Sequence, residues 1–261
     1  MRFGKRIFRS RQEEEIDVSE HDGVRALHLG STAIQSAMRI SKPDQLELAY
    51  VRAMIAFLLF KPSPDEILMI GLGGGSLAKF VHQHMLDAKT VVVEISPKVV
   101  SVARHLFYLP DDDERLSVII DDGAAYLPGR QAVADIIMID AYDGHAQPEP
   151  LTSKAFYAHA RDALNERGIL VVNLWGSDKN FSTYLSRIEE AFDNLVLCLP
   201  TEKRGNIIVF GFKTYVGNFD WQDLKASAKS LSATYGLEFA NFVEGLKKMN
   251  RHTERRLLLS Q

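Results

Sequence analysis

Two aspartates three positions apart, Asp140 and Asp143, stand where an apolar run ends: Ile136-Ile137-Met138-Ile139 leads into Asp140-Ala141-Tyr142-Asp143-Gly144. Carboxylates at that spacing, leaving a buried strand for a loop, can hold a cationic amine, orient it and accept a proton as it attacks. The same stretch also reads as a plain turn, because Asp-Gly is itself a turn signal. Two more acids occupy comparable positions: Glu94 closes Thr90-Val91-Val92-Val93, and Asp121-Asp122-Gly123 follows Leu116-Ser117-Val118-Ile119-Ile120. A carboxylate after such a strand can accept hydrogen bonds from both hydroxyls of a ribose. Asp122 can accept from the exocyclic amine of adenine while Gly123 lets the ring approach the backbone. The alternatives are a helix cap at Glu94 and a simple turn at Asp122-Gly123.

The element that must bring these acids together is Glu66-Ile67-Leu68-Met69-Ile70-Gly71-Leu72-Gly73-Gly74-Gly75-Ser76. Ile67–Ile70 reads as a short buried strand, the glycines as a tight turn, and Ser76 as the start of a helix whose free N–H groups face that turn. Such a turn suits a nucleotide, since a ligand can lie against backbone that carries no Cβ. The dinucleotide fingerprint needs a glycine or alanine at 76, where Ser76 stands. Gly71, Gly73 and Gly75 give instead the G-x-G-x-G spacing of adenosylmethionine-type proteins.

From residue 66 onward strands and helices alternate, which predicts a doubly wound, mostly parallel sheet with helices on both faces. Ligands of such sheets bind outside the carboxyl ends of the strands, where Glu94, Asp122 and Asp140 fall. The predicted strands are 67–70, 90–94, 116–120, 134–139, 168–174, 195–199 and 206–212, and the predicted helices begin near Leu77, Pro97, Ser153 and Phe181. Ahead of them, Glu14–Glu20 and Val24–Leu29 alternate in polarity across His21-Asp22-Gly23, which predicts a hairpin. A third strand is expected near Ile34, and a helix over Gln45–Phe60. The division expected is an N-terminal β unit over 1–43, a nucleoside-binding domain over 44–217 and a helical extension over 218–261, with Lys247–Arg251 a solvated tail.

A formal net charge of −3, with basic residues interspersed, argues against general nucleic-acid affinity. The single cysteine, Cys198, excludes an internal disulfide and reads as a small core residue. No metal site is expected, because His82 and His84, two apart, fall on different faces of a helix and read as surface residues. His145 reads as a loop residue without a role, and Trp175 as a pocket or core-capping residue. No apolar stretch reaches the roughly 18 residues of a membrane span, and the first residues lack a signal-peptide core. A cytoplasmic protein is expected.

The order of the glycine loop, Val92-Val93-Glu94, Phe107-Tyr108-Leu109-Pro110 before an acidic turn, Asp122-Gly123, and Asp140-x-x-Asp143 followed by Pro148-Glu149-Pro150-Leu151-Thr152 resembles the spermidine synthase family. The resemblance runs from the N-terminal hairpin to about Phe212. It implies a small β unit ahead of a Rossmann-like, methyltransferase-type domain that moves an aminopropyl group from decarboxylated S-adenosylmethionine to a small amine. By resemblance Gln35 contacts the donor, Glu94 takes the ribose, Asp122 and Gly123 the adenine, Asp140 and Asp143 the reacting end, and Tyr50 the acceptor. No tightly bound cofactor is implied; decarboxylated or intact adenosylmethionine is a co-substrate.

Three departures stand out. Gly74 occupies the place of a family aspartate, Arg52 that of a helix acid beside Tyr50, and Thr201-Glu202-Lys203-Arg204-Gly205 that of an aromatic segment. An added cation and lost carboxylates should weaken binding of an ordinary diamine, because ammonium groups taken from water need paired negative charge. Two alternatives follow: a methyltransferase using intact adenosylmethionine with Arg52 on its carboxylate, or a non-catalytic nucleoside-binding protein. The expected arrangement folds the N-terminal unit over the mouth of the sheet, bringing Gln35 to the glycine turn. The free edges of that unit point to a homodimer.

Overall fold

In a computed structural model, which describes residues 5–9, 16–142, 147–201 and 205–259, the first element is β1 (Lys5–Arg9), antiparallel to β2 (Ile16–His21). Asp22 and Gly23, at φ 51° and 74°, make the two-residue turn that returns β2 into β3 (Val24–Leu29). A third pairing with β4 (Ser36–Arg39) completes a four-stranded sheet in the order β1-β2-β3-β4. The hairpin was legible in the sequence; β1 was not.

The helix expected over 45–60 is shorter. Only α1 (Ala49–Met54) is α-helical, and Ile55–Leu59 continues as a 3-10 turn whose five residues are all buried. A segment apolar on every side is buried all round, and its winding tightens from α to 3-10 as short C-terminal continuations of helices commonly do.

The alternating part follows the sequence closely. Its elements are β5 (Glu66–Ile70), α2 (Ser76–His84), β6 (Lys89–Glu94), α3 (Pro97–Phe107), β7 (Leu116–Ile120), α4 (Gly123–Tyr126) and β8 (Ala134–Ile139). There follow α5 (Lys154–Ala163), β9 (Leu164–Trp175), α6 (Phe181–Ala191), β10 (Val196–Pro200) and β11 (Asn206–Phe212). They form a seven-stranded sheet in the order β10-β11-β9-β8-β5-β6-β7. Strands β5 to β9 are parallel, and β11 runs antiparallel between β9 and β10. Side chains alternate between faces along each strand: Ile67, Met69, Ile136 and Met138 enter one core, Leu68, Ile70, Ile137 and Ile139 the other. Strand order reverses at β5, which pairs with both β6 and β8, so the ligand crevice of this architecture falls at their carboxyl ends.

The N-terminal sheet docks on α3 through Ile16, Val18, Leu27 and Met38 against Val99, Val102 and Phe107. Two cations complete the seam at the negative end of α3. Arg25 donates to the carbonyl of Leu106, and the buried Lys79 donates to the carbonyls of Phe107 at 2.7 Å and Pro43 at 2.8 Å. This seam holds the loop between β3 and β4 above the glycine turn.

After β12 (Phe219–Asp220) come α7 (Trp221–Tyr235), α8 (Phe239–Leu246) and β13 (Arg256–Leu257), which pairs with β12. Trp221, Leu224, Phe239 and Leu246 join the same core as Ile67 and Phe210. Lys247–Arg251 is no solvated tail. Lys247 lies over the Trp221 ring at 5.1 Å, and Asn250 clasps buried Cys198 through its N–H and carbonyl, both at 2.7 Å. Of the two histidines, His84 is exposed with its ring 4.6 Å from that of Phe80, and the half-buried His82 bonds Asp113 at 2.7 Å.

Candidate active site

A cavity of about 410 Å³ opens at the carboxyl ends of β5, β6 and β8. Gln35, Tyr50, Gly71, Gly73, Glu94, Asp122, Gly123 and Asp140 all line it. Asp143 and His145 lie outside the described residues, as does Glu202. Gly75 is not part of the wall: at φ 74° it precedes α2 and packs on Leu109, where an added Cβ would fall 2.8 Å from Leu109 Cδ1. Its glycine serves backbone geometry and packing. Trp175 is exposed and does not line the cavity either.

Gly71 is the hinge of the site. Its φ of 95° suits glycine, and an added Cβ would collide with the main-chain oxygen of Asp140. The end of β8 therefore closes directly on the turn after β5. At Gly123 a Cβ would collide with Ile70, so the turn after β7 also lies tight against β5.

Glu94 is buried and already engaged. Its Oε2 accepts from the N–H of Leu72 and its Oε1 from the N–H of Ser96, both at 2.9 Å. Asp122 caps α4, its Oδ1 accepting from Ala124 N–H at 2.8 Å. The turn reading and the wall position thus coexist at this residue.

The carboxyl of Asp140 is strongly perturbed. Burial pushes its carboxyl up to about 6, against the opposing hydrogen bonds from Asn173 and Tyr50. Asn173 Nδ2 donates to Oδ1 at 2.9 Å. The Tyr50 hydroxyl sits between this carboxylate and the main-chain oxygen of Gln35, 2.9 Å away, and shares its one proton between these two acceptors. Burial and the adjacent Asp140 charge push the tyrosine's own ionisation upward, so it stays a neutral donor. A carboxyl poised near neutrality, beside a hydroxyl and facing a cavity, can take a proton from a bound amine.

Arg52 does not face this cavity. Its Nε donates to Glu238 at 2.7 Å, and its Nη1 to the carbonyls of Leu46 and Glu47 at 3.2 and 2.7 Å. Both expectations placed on it, repelling a diamine and pairing a donor carboxylate, therefore fail: the guanidinium is spent joining α1 to the start of α8. At Gly74 a Cβ would lie 2.6 Å from Ser36 Oγ and 2.9 Å from Phe107 Cδ1, so the space of a side chain is already filled.

Sequence reasoning missed Asn173, Ser36 and Tyr142. Asn173 carried a signal, a polar residue within the apolar run Ile169–Leu174, and it is 2% exposed. Ser36, whose Oγ lies 3.3 Å from Ser76 Oγ, carried none, because only the docking of β4 brings it to the turn. Among the described residues no group of His, Cys, Asp and Glu could hold a metal ion.

The strand order, the antiparallel β11 and a crevice rimmed by Glu94, Asp122 and Asp140 define a Rossmann-like protein of the methyltransferase type. Comparison with known proteins narrows the class. The spermine/spermidine synthase domain model matches residues 47–220. Polyamine aminopropyltransferase of Chromobacterium violaceum is 38% identical over 245 residues, covering 94% of each chain. Among solved structures, a spermidine synthase in complex with the transition-state analogue AdoDATO superposes at a TM-score of 0.67 with 24% identity, covering 80% of this chain and 74% of that one. Human methyltransferase-like protein 13 in complex with SAH superposes at 0.65 with 27% identity, covering 72% and 93%. The chain belongs to the spermine/spermidine synthase family.

Proposed function

We propose that this chain is an aminopropyltransferase that moves the aminopropyl group of decarboxylated S-adenosylmethionine to a small amine. The observation that carries the choice of donor is the charge of the cavity wall. Its described residues include three carboxylates, Glu94, Asp122 and Asp140, and no Lys, Arg or His. Intact adenosylmethionine would bring a carboxylate to that wall without a cation to receive it, whereas the decarboxylated donor brings only an ammonium and a sulfonium. The methyl-transfer reading relied on Arg52, and Arg52 is paired with Glu238. The family and the 38% identical aminopropyltransferase support the same choice.

In this reading Glu94 holds the ribose, Asp122 and Gly123 the adenine, and Gln35, Gly71 and Gly73 the rest of the donor. The amine nitrogen attacks the methylene next to the sulfonium. The carbon–sulfur bond breaks with its electron pair going to sulfur, and methylthioadenosine leaves. The attacking nitrogen gives up a proton to Asp140, with Asp143 assigned to the same task by its motif, while Tyr50 orients the acceptor. Paired Arg52 sets no barrier to a dicationic acceptor, so putrescine is an expected substrate.

The division at 43/44 and 217/218, the cytoplasmic location and a homodimer built on the edge of the N-terminal sheet belong to the same proposal. Strand β4, at one end of that sheet, pairs with β3 alone among its strands. The test incubates the purified chain with decarboxylated or intact adenosylmethionine and with putrescine, cadaverine, agmatine or spermidine. Aminopropylated amine plus methylthioadenosine from the decarboxylated donor is the expected result. Methyl transfer from the intact donor, or no product with any amine, overturns the proposal.

A further inference from the structure

An ionised carboxylate only accepts hydrogen bonds, so Asn173 must turn its NH₂ toward Asp140, and Nδ2 donates to Asp140 Oδ1 at 2.9 Å. The amide oxygen then faces the other way, and it accepts from Nδ2 of Asn206 at 2.9 Å. The chain of donors has one direction, from Asn206 through Asn173 to Asp140. Around it the backbone is pinned. The main-chain oxygen of Asn173 accepts from the Tyr142 hydroxyl and from Gln147 Nε2, both at 3.0 Å. That of Asn206 accepts from Thr201 N–H at 3.0 Å and Thr201 Oγ1 at 2.8 Å. Asn206 itself starts β11 and is not part of the cavity wall.

We infer that Asn206 is a positioning residue for the reaction: by donating to Asn173 it fixes which edge of that amide meets Asp140, and so keeps the carboxylate oriented and ionised. As far as it concerns turnover, this rests on the aminopropyl-transfer reading. If residue 206 offered an acceptor instead, Asn173 would rotate its NH₂ toward it and present its oxygen to Asp140. Only a protonated Asp140 can then make the bond. The groups facing Asp140 do not oppose that protonation. Tyr50 of α1 and Tyr142 of its own segment are neutral, and Glu94 at the end of β6 and Asp122 after β7 are acids of the same wall.

The test is Asn206→Asp, which keeps the shape of the side chain and removes its donors. One proton must then enter the relay, and Asp140, to which Asn173 would now present its amide oxygen, retains it. Carboxyl ¹³C NMR of the full chain, with the Asp140 signal assigned by its loss in Asp140→Asn, should show the midpoint rising by about one pH unit or more. Asn206→Leu, which supplies neither donor nor acceptor, should raise it by a smaller amount. Methylthioadenosine affinity of both variants should stay within about twofold of wild type, since its proposed contacts lie on other strands. The acid limb of turnover should move with the midpoint. An Asp140 midpoint that is unchanged or lower in both variants overturns the inference, as does lost turnover with an unmoved pH profile. Absence of aminopropyl transfer by the wild type would refute the proposed function, and the carboxyl titration would still decide the relay.

Discussion

Glu94 carries a load that a ribose contact alone does not predict. Its two oxygens accept from Leu72 N–H in the glycine turn and from Ser96 N–H at the cap of α3, both at 2.9 Å, with the side chain buried. In Glu94→Gln only one oxygen remains, and the NH₂ must point at one of those two N–H groups. One buried donor loses a charged acceptor, worth about 1.5–3 kcal/mol, and faces another donor, so the ligand-free protein should lose about 2–4 kcal/mol. A ribose diol bound to the same group would lose about 1.5 kcal/mol, roughly tenfold in affinity. Urea unfolding of the ligand-free protein reads the first effect as a lower midpoint at constant slope, and calorimetric titration with methylthioadenosine reads the second. Glu94→Ala, which strips both acceptors, should exceed Glu94→Gln in both. A ligand-free stability within about 0.5 kcal/mol of wild type would refute the reasoning, because the carboxylate would then not be part of the frame that shapes the turn.

The remaining predictions concern Asp140 and Gly74. With Asp140 as the proposed base and its carboxyl held by burial at about 6, turnover with saturating substrates should rise as pH is raised through that value. A flat profile between about pH 5 and 7 would count against it. Asp140→Asn should lower kcat by about 10²–10⁴-fold while methylthioadenosine affinity changes less than about threefold; a loss below about tenfold would mean Asp140 only shapes the wall. Gly74→Asp must displace Ser36 Oγ at 2.6 Å and Phe107 Cδ1 at 2.9 Å, and should destabilise by about 1–3 kcal/mol. Adding Ser36→Ala should recover part of that loss, and a Gly74→Asp protein as stable as wild type would show that the space is not filled.

Features that depend on short-range chemistry are legible in the residue order alone. The Asp22-Gly23 hairpin, the proline-led start of α3 at Ser96-Pro97 and the alternation of apolar strands with helices are written in turn residues, caps and periods a few positions long. Because acids at the ends of those strands must share one edge of a parallel sheet, the strand pattern alone puts Glu94, Asp122 and Asp140 together. Whatever depended on approach between distant segments had no such signature. Arg52 reads as a free cation beside Tyr50, and only the arrival of Glu238 from 186 residues away removes its charge from the site. Gly74 reads as a missing acid, and only the docking of β4 reveals that Ser36 and Phe107 occupy its space. Asn173 reads as one polar interruption in a strand, and the pairing of β9 with β11 turns it into the link between Asn206 and Asp140. Charge and hydrogen-bonding capacity are properties of residues, but which group satisfies them is decided by what the folded chain brings within about 3 Å, and no local pattern encodes that distance.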